Sequence, residues 1–124
     1  MAEGATKVLL VEDDKMIIDM YTLKFTQEGY DVVQAENGKD GLDLAKTSNP
    51  DIILLDIILP QMDGFTVLKE LKADANLKDT PVVLLTNLGQ DGDVKKGLEL
   101  GANDYLIKAN YTPSQVVDKV KSVL

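Results

Sequence analysis

Three uninterrupted apolar stretches set the pattern of the chain, and each ends abruptly at a polar residue. They occupy residues 8–11, 52–55 and 82–85. Each has the length of a β-strand, and strands that are apolar at every position are typical of a parallel sheet covered by helices on both faces. Two further stretches, residues 31–35 and 104–108, are mixed in polarity, as expected of edge strands. The chain therefore predicts five strands, three of them buried.

The segments between these strands have the apolar spacing of amphipathic helices. In residues 15–28, Met16, Met20 and Leu23 fall on one predicted apolar stripe, with Ile17 and Tyr21 beside it. Gly29 is placed to end the helix. Strands and helices therefore alternate from the first strand onward.

The last two predicted helices differ in their expected stability. The helix over residues 90–100 contains Gly92 and Gly97, and each glycine costs about 1 kcal/mol relative to alanine, so this helix is expected to be labile. The final helix starts well, with a capping Thr112 followed by Pro113. Its inner stripe is predicted to consist of Val116, Val120 and Val123.

Five such β–α units predict one domain over residues 1–124, of the α/β class. The expected architecture is a doubly wound, flavodoxin-like, five-stranded parallel sheet in the order 2-1-3-4-5, with helices on both faces. Right-handed crossovers then bring the exits of strands one, three, four and five to one edge of the sheet. We expect no attached output domain.

The composition removes several classes of function. The chain has 124 residues, no cysteine and no histidine, which excludes disulfides and makes a zinc site improbable. Its net charge of -8 opposes direct contact with nucleic acid or an anionic membrane. The opening residues 1–6 carry no targeting signal, and no stretch approaches membrane-spanning length. We predict a cytoplasmic protein that is a monomer, with phosphorylation-dependent dimerisation as an alternative.

Chemically suitable residues collect at the predicted edge. They are Glu12, Asp13, Asp56, Thr86 and Lys108. Two like charges about 4 Å apart repel by about 4 kcal/mol at an effective dielectric of about 20, so three clustered carboxylates need a cation or a proton. Oxygen ligands without imidazole or thiolate favour Mg²⁺, which commonly binds one or two carboxylates together with phosphate oxygens. The pattern indicates a phosphate-handling site.

In such a site Asp56 would attack a phosphoryl group in line, as a carboxylate nucleophile. Lys108 and the metal would neutralise the phosphoryl oxygens, and Thr86 would donate to one of them. Each residue also has a simpler structural interpretation. The acidic residues after strand one could be a solvated helix N-terminus favoured by the helix dipole, Thr86 a turn residue at a strand end, and Lys108 a surface charge. Their joint occurrence at four strand exits favours the functional interpretation.

The chain resembles a response-regulator receiver domain of two-component signalling, of the single-domain, chemotaxis-regulator-like kind. The resemblance rests on residues 8–14 (VLLVEDD), residues 56–64 (DIILPQMDG), residues 101–108 (GANDYLIK) and Thr86 after its apolar strand. It covers nearly the whole chain, and these motifs together are highly specific.

The resemblance implies a role for each matching position. Asp56 accepts phosphate from a phosphohistidine, Asp13 binds Mg²⁺ directly, Glu12 binds it through water, and Ile58 supplies a backbone carbonyl. Two further positions match the family's switch pair, Thr86 and Tyr105, and Lys108 matches its phosphate-contacting lysine. The expected protein is a regulatory switch that catalyses its own phosphorylation and slow dephosphorylation, read out on the surface of helix four, strand five and helix five.

The partners follow from what the chain lacks. Without histidine it cannot carry the phosphohistidine, so a separate histidine kinase or histidine phosphotransfer protein is required. A downstream protein target is expected to receive the signal.

One position departs from the family pattern. The family lysine is usually followed by proline, whereas Ala109 follows Lys108 here and Asn110 lengthens the connection. A cis bond before a residue other than proline costs about 2.5 to 4 kcal/mol, so we predict a trans Lys108–Ala109 bond with Lys108 still facing Asp56. Asn110 is expected to reverse the chain in the left-handed conformation.

Three rival interpretations remain at this point. A flavodoxin-like flavin-binding module would need a Ser/Thr/Gly-rich phosphate loop after strand one, where this chain has carboxylates. A small aspartyl phosphatase would place its nucleophile after strand one and use a cap. A receiver-like scaffold that binds partners without phosphorylation would not need the complete acidic, Thr and Lys set.

Overall fold

Strands and helices alternate along the chain in a computed structural model that describes residues 5–124. The strands are β1 Lys7–Val11, β2 Asp31–Ala35, β3 Ile52–Leu55, β4 Val82–Thr86 and β5 Asp104–Ile107. The helices are α1 Lys15–Gln27, α2 Gly38–Ser48, α3 Gly64–Ala73, α4 Asp91–Glu99 and α5 Pro113–Val123. The sheet is parallel throughout and has the order β2-β1-β3-β4-β5, which confirms the predicted fold class and topology.

The register of the sheet aligns the strand ends that carry the predicted site. Val11 of β1 pairs with Leu55 of β3, and Leu55 is level with Leu84 of β4. The amide of Asp56 continues this ladder by donating to the carbonyl of Val11 at 3.0 Å. The residues just beyond β1 and β3 therefore leave the sheet side by side.

Two apolar cores lie on opposite faces of the sheet. Alternate strand residues such as Leu9 and Ile53 face α2 and α3, while Leu10 and Leu54 face α1 and α5. All four are at most 2% exposed. Burial on both faces explains why these strands are apolar at every position.

The apolar stripe predicted for α1 is wrong. Met16 is 82% and Leu23 is 62% exposed, whereas Ile18, Tyr21 and Phe25 are buried against the sheet. The helix carries apolar residues on two stripes, and burial of the stripe with two aromatic rings removes more apolar area from water. Spacing alone does not distinguish the two stripes.

The inner stripe predicted for α5 agrees with the structure. Val116 and Val120 of α5 are fully buried, and Val123 packs against the same core. In α4 the sole buried residue is Gly97, so this helix is anchored by little apolar area. No helix within residues 5–124 is long and apolar enough to cross a bilayer. The first four residues of the opening segment, which was predicted to lack a targeting signal, lie outside the described part.

The connection after β5 confirms one prediction and corrects another. No cis peptide bond occurs in residues 5–124, so Lys108–Ala109 is trans as predicted. Asn110 does not have a positive φ, and the prediction of a left-handed Asn110 is wrong. The chain instead turns through a 3₁₀ segment, Lys108–Asn110, closed by the Tyr111 amide donating to the Lys108 carbonyl at 3.3 Å. This right-handed turn absorbs the extra residue.

Candidate functional site

An open cleft of about 430 Å³ lies at the carboxyl edge of the sheet, between the ends of β1, β3, β4 and β5. Its lining includes five predicted site residues: Glu12, Asp13, Asp56, Thr86 and Lys108. Ligands of doubly wound sheets bind at this edge. The structure therefore brings together what the sequence placed at four separate strand exits.

Asp56 is held from two sides. One carboxylate oxygen, Oδ1, accepts from the amides of Ile57 at 2.7 Å and Ile58 at 3.3 Å. The other, Oδ2, accepts from Lys108 Nζ at 2.8 Å. The residue is 6% exposed. These contacts fix the orientation of its carboxylate, with Oδ2 facing the Lys108 ammonium.

Lys108 joins Asp56 to Glu12. Its ammonium also donates to Glu12 Oε1, and the Glu12 carboxylate is completed by the Asp14 amide donating to Oε2 at 3.0 Å. Burial raises the pKa of the Glu12 carboxyl, and the bond from Lys108 only partly opposes this. Burial would lower the pKa of Lys108, but its hydrogen bonds to Asp56 and Glu12 raise it above the ordinary value. Lys108 is therefore a permanent cation at neutral pH.

Three carboxylates form a group with the spacing of a metal site. Oxygen atoms of Glu12, Asp13 and Asp56 all lie within 4.8 Å of one another. Lys108 supplies one positive charge against three negative ones, which leaves a net negative site. This all-oxygen donor set fits a hard divalent cation such as Mg²⁺ and does not fit zinc.

Asp14 has a structural role. Its side chain caps α1 by accepting from the amides of Met16 at 2.9 Å and Ile17 at 3.3 Å. The cap fixes the start of the helix, and with it the direction of the preceding acidic residues.

Ile58 lies at the mouth of the cleft. The residue lines the cleft and is 63% exposed. The Ile58 amide donates to Asp56 Oδ1, and this bond holds the Ile57–Ile58 peptide beside the Asp56 carboxylate.

Thr86 and Tyr105 are linked through the backbone of Leu88. Thr86 Oγ1 accepts from the Leu88 amide at 3.2 Å, and the Tyr105 hydroxyl donates to the Leu88 carbonyl. Tyr105 is 9% exposed, so its ring already lies inside. Burial, followed by the charges of Asp93 and Asp56, raises the pKa of Tyr105 to about 12.

Sequence reasoning missed two residues that line the cleft. Ile17 adds an apolar wall from α1, and Asn87 adds an amide beside Thr86. Asn87 Oδ1 accepts from the amide of Ala109 at 3.2 Å, across 22 positions of sequence. An asparagine at a strand exit has an ordinary turn interpretation, so only the folded topology reveals this contact.

Comparison with known proteins agrees with the geometry. The sequence model of the family described as "Response regulator receiver domain" matches residues 8–121. A curated relative from Synechocystis sp., the "DNA-binding dual master transcriptional regulator RpaA", is 40% identical over 118 residues, which are 95% of this chain and 48% of that protein. The chain spans about half the length of the curated relatives it matches.

Solved structures share the complete architecture. The chemotaxis protein CheY4 of Vibrio cholerae superposes with a TM-score of 0.91 at 29% identity, covering 98% of this chain and all of that one. The BeF3-activated N-terminal receiver domain of Klebsiella pneumoniae RstA gives a TM-score of 0.88 at 30% identity, covering 95% and 97% of the two chains.

Proposed function

The chain belongs to the response regulator receiver domain family, and on that premise we propose that Asp56 is its phosphoacceptor in a phosphorylation-based signalling switch. The acidic cleft fits a phosphoacceptor aspartate and a magnesium site. One observation carries the proposal: Asp56 is a buried carboxylate bonded to Lys108 at 2.8 Å, with two further carboxylates beside it. A structural carboxylate would not need this excess of negative charge.

The phosphoryl group comes from a phosphohistidine of a partner, since this chain contains no histidine. A carboxylate oxygen of Asp56 attacks phosphorus as the P–N bond breaks, and the bonding electrons leave with the histidine nitrogen. Lys108 lies where it can contact an oxygen of the transferred group. The Thr86 hydroxyl can donate to another.

The metal ligands we assign are Asp13, Asp56 and the Ile58 carbonyl, with Glu12 acting through water. Bound Mg²⁺ supplies positive charge that neutralises phosphoryl oxygens during transfer. The chain's own contribution is to place the ligand oxygens of these residues close together. The Ile57 and Ile58 amides fix the orientation of the Asp56 carboxylate.

The signal is read out on the surface of α4, β5 and α5. The Tyr105 ring is already buried in this structure, so the proposed change does not begin with an inward movement of that ring. We therefore place the change at Thr86: contact with a phosphoryl oxygen repositions its hydroxyl, which alters the bond from the Leu88 amide. Because Leu88 also accepts from Tyr105, the segment leading into α4 shifts with it.

The donor protein covers the mouth of the cleft from the side of α1. Ile17 lines the cleft, and the exposed apolar stripe of Met16, Met20 and Leu23 begins beside it. A phosphohistidine domain that approaches Asp56 from this side would bury the stripe that the fold leaves exposed. The downstream partner is a protein, since a domain of net charge -8 is poorly suited to contact DNA itself.

Phosphorylation by acetyl phosphate with Mg²⁺ tests the assignment. Intact mass should show one added phosphoryl group, and peptide mapping should place it on Asp56. Asp56→Asn should abolish the labelling, whereas Asp19→Asn, a change on the exposed face of α1, should leave it intact. Labelling of Asp56→Asn at the wild-type rate would refute the proposal and favour an unphosphorylated scaffold.

Hydrogen exchange tests the readout separately. With Mg²⁺ and beryllofluoride, which imitates the acyl phosphate, exchange should change most within residues 86–108. A change confined to α1 and α2 would contradict a readout through α4 and β5.

A further inference from the structure

Two loops at the edge of the cleft are joined by one side chain. Asn87 Oδ1 accepts from the Ala109 amide at 3.2 Å. Asn87 directly follows Thr86 at the end of β4, and Ala109 directly follows Lys108 after β5. The contact therefore links the two positions at which the proposed phosphoryl-binding groups leave the sheet.

We propose that Asn87 is a positioning residue for Lys108. Its side-chain oxygen holds the first turn after β5 through the Ala109 amide and thereby aims the lysine into the cleft. The inference rests on the proposed function, because the position of Lys108 matters for phosphoryl transfer.

The turn that carries Lys108 has little support of its own. It is a three-residue 3₁₀ segment, Lys108–Asn110, with no side-chain cap and one closing backbone bond from Tyr111 at 3.3 Å. A short segment of this kind has weak internal hydrogen bonds, so outside contacts decide its orientation. The contact from Asn87 reaches the residue next to the lysine.

A second contact keeps the two loops close. A Cβ added at Gly89 would lie 2.8 Å from Ile107 Cδ1, which shows how closely the β4–α4 loop packs on the last residue of β5. Glycine at this position lets the loop approach, and Asn87 then reaches Ala109. The contact also depends on the residue at position 109, because a proline there would offer no N–H.

The consequence for Lys108 is geometric. Its ammonium must reach both Glu12 and Asp56, and its side chain is 11% exposed between them. Asn87 and Ala109 are both exposed, so water can replace the lost bond and the energetic effect of removing it is modest. The turn then samples more orientations, and the lysine spends less time in the productive one.

The test compares Asn87→Ala with Asn87→Asp, which keeps an oxygen acceptor of the same length. In the unphosphorylated protein, Asn87→Ala should speed exchange of the Ala109 amide roughly two- to tenfold, the range of one net hydrogen bond, and Asn87→Asp should restore slow exchange. Carbon-edited spectra of the Lys108 side chain should show averaging in Asn87→Ala alone. Unchanged Ala109 exchange and Lys108 spectra in Asn87→Ala would overturn the inference.

A double-mutant cycle separates positioning from a general structural effect. Asn87→Ala should slow phosphorylation by acetyl phosphate roughly two- to tenfold in the wild-type background and not at all in Lys108→Ala. An equal slowing in both backgrounds would overturn the role assigned to Asn87. If wild type takes no phosphoryl group on Asp56, the proposed function fails, while amide exchange and the Lys108 spectra still decide whether Asn87 holds the turn.

Discussion

The two halves of the cleft are built differently. On the β1 and β3 side, Glu12 and Asp56 are buried, and the following helices start at side-chain caps, Asp14 for α1 and Asp63 for α3. On the β4 and β5 side, α4 starts at Gln90, which makes no side-chain capping bond. The start of α4 is therefore the least fixed of the helix starts at the cleft, whereas α5 on the same side begins at a complete capping box formed by Thr112 and Gln115.

The glycines repeat this difference. A Cβ at Gly64 would lie 2.2 Å from the backbone oxygen of Asp56, whereas a Cβ at Gly97 would meet the ends of the Leu84 and Tyr105 side chains. Backbone is hard to displace, and side-chain ends move more easily. The start of α3 beside the proposed phosphoacceptor is therefore closely packed on backbone, whereas α4, the helix proposed to transmit the signal, contacts movable side-chain ends.

The largest expected effect comes from Gly64→Ala. The new methyl group would contact Asp56 O and lie 2.6 Å from Ile57 Cα, so the end of β3 or the start of α3 must shift. We expect a loss of about 3 kcal/mol in the free energy of unfolding, measured by urea denaturation. A loss smaller than that of Gly97→Ala would contradict the close packing assigned to the start of α3.

Tyr105, in β5, should make the free energy of unfolding depend on pH. Burial raises its pKa from the model-compound value of 10.0 to about 12, which means that the folded state holds the hydroxyl proton more tightly than the unfolded state. The resulting stability is fully present below pH 10 and is lost as pH rises towards 12. A loss of about 2 kcal/mol across this window is expected.

Absorbance titration of tyrosinate, with unfolding measured in parallel, checks this. Tyr105→Phe should remove the last-titrating component and flatten the decline in stability. An unaltered decline in Tyr105→Phe would show that other groups cause it.

Hydrolysis of the phosphoryl group on Asp56 can be used to compare the two sides of the cleft. Ile58 follows β3 and Leu88 follows β4, and both residues line the cleft. Neither side chain can orient an attacking water by hydrogen bonding. Slow hydrolysis is expected in the wild type. A polar residue, as in Ile58→Asn or Leu88→Gln, should accelerate it by on the order of tenfold. Ile58→Val and Leu88→Met are the matched controls, and no acceleration by either polar variant would count against the idea.

Most of the fold followed from residue patterns because buried parallel strands leave a distinct signature. The apolar runs, their turn punctuation and the strand order all agree with the structure, and five site residues meet where their strands end. Spacing did not identify the buried face of α1, because both stripes of that helix are apolar. Nor did it reveal the contact between Asn87 and Ala109, whose partners are close only in the folded chain.

Gly92→Ala should produce the smallest change in the free energy of unfolding. It tests the helix propensity of α4 without changing how closely the helix packs. Nothing lies within 4 Å of a Cβ built at Gly92, so alanine adds helix propensity there without a clash. A gain of about 0.5 kcal/mol is expected, with slower amide exchange within α4 and an unchanged rate of phosphorylation at Asp56.

Gly97→Ala is the matched contrast in the same helix. It offers similar propensity, but its Cβ would lie 2.5 Å from Leu84 Cδ1 and 3.1 Å from the Tyr105 ring, so α4 must move outward or the ring must be displaced. If α4 is loose because glycine weakens it, both variants slow its exchange. If α4 is loose because it is only lightly packed, Gly92→Ala slows exchange slightly and Gly97→Ala speeds it. The single buried residue of this helix favours the second outcome, in which signal transmission depends on how closely α4 can approach Tyr105.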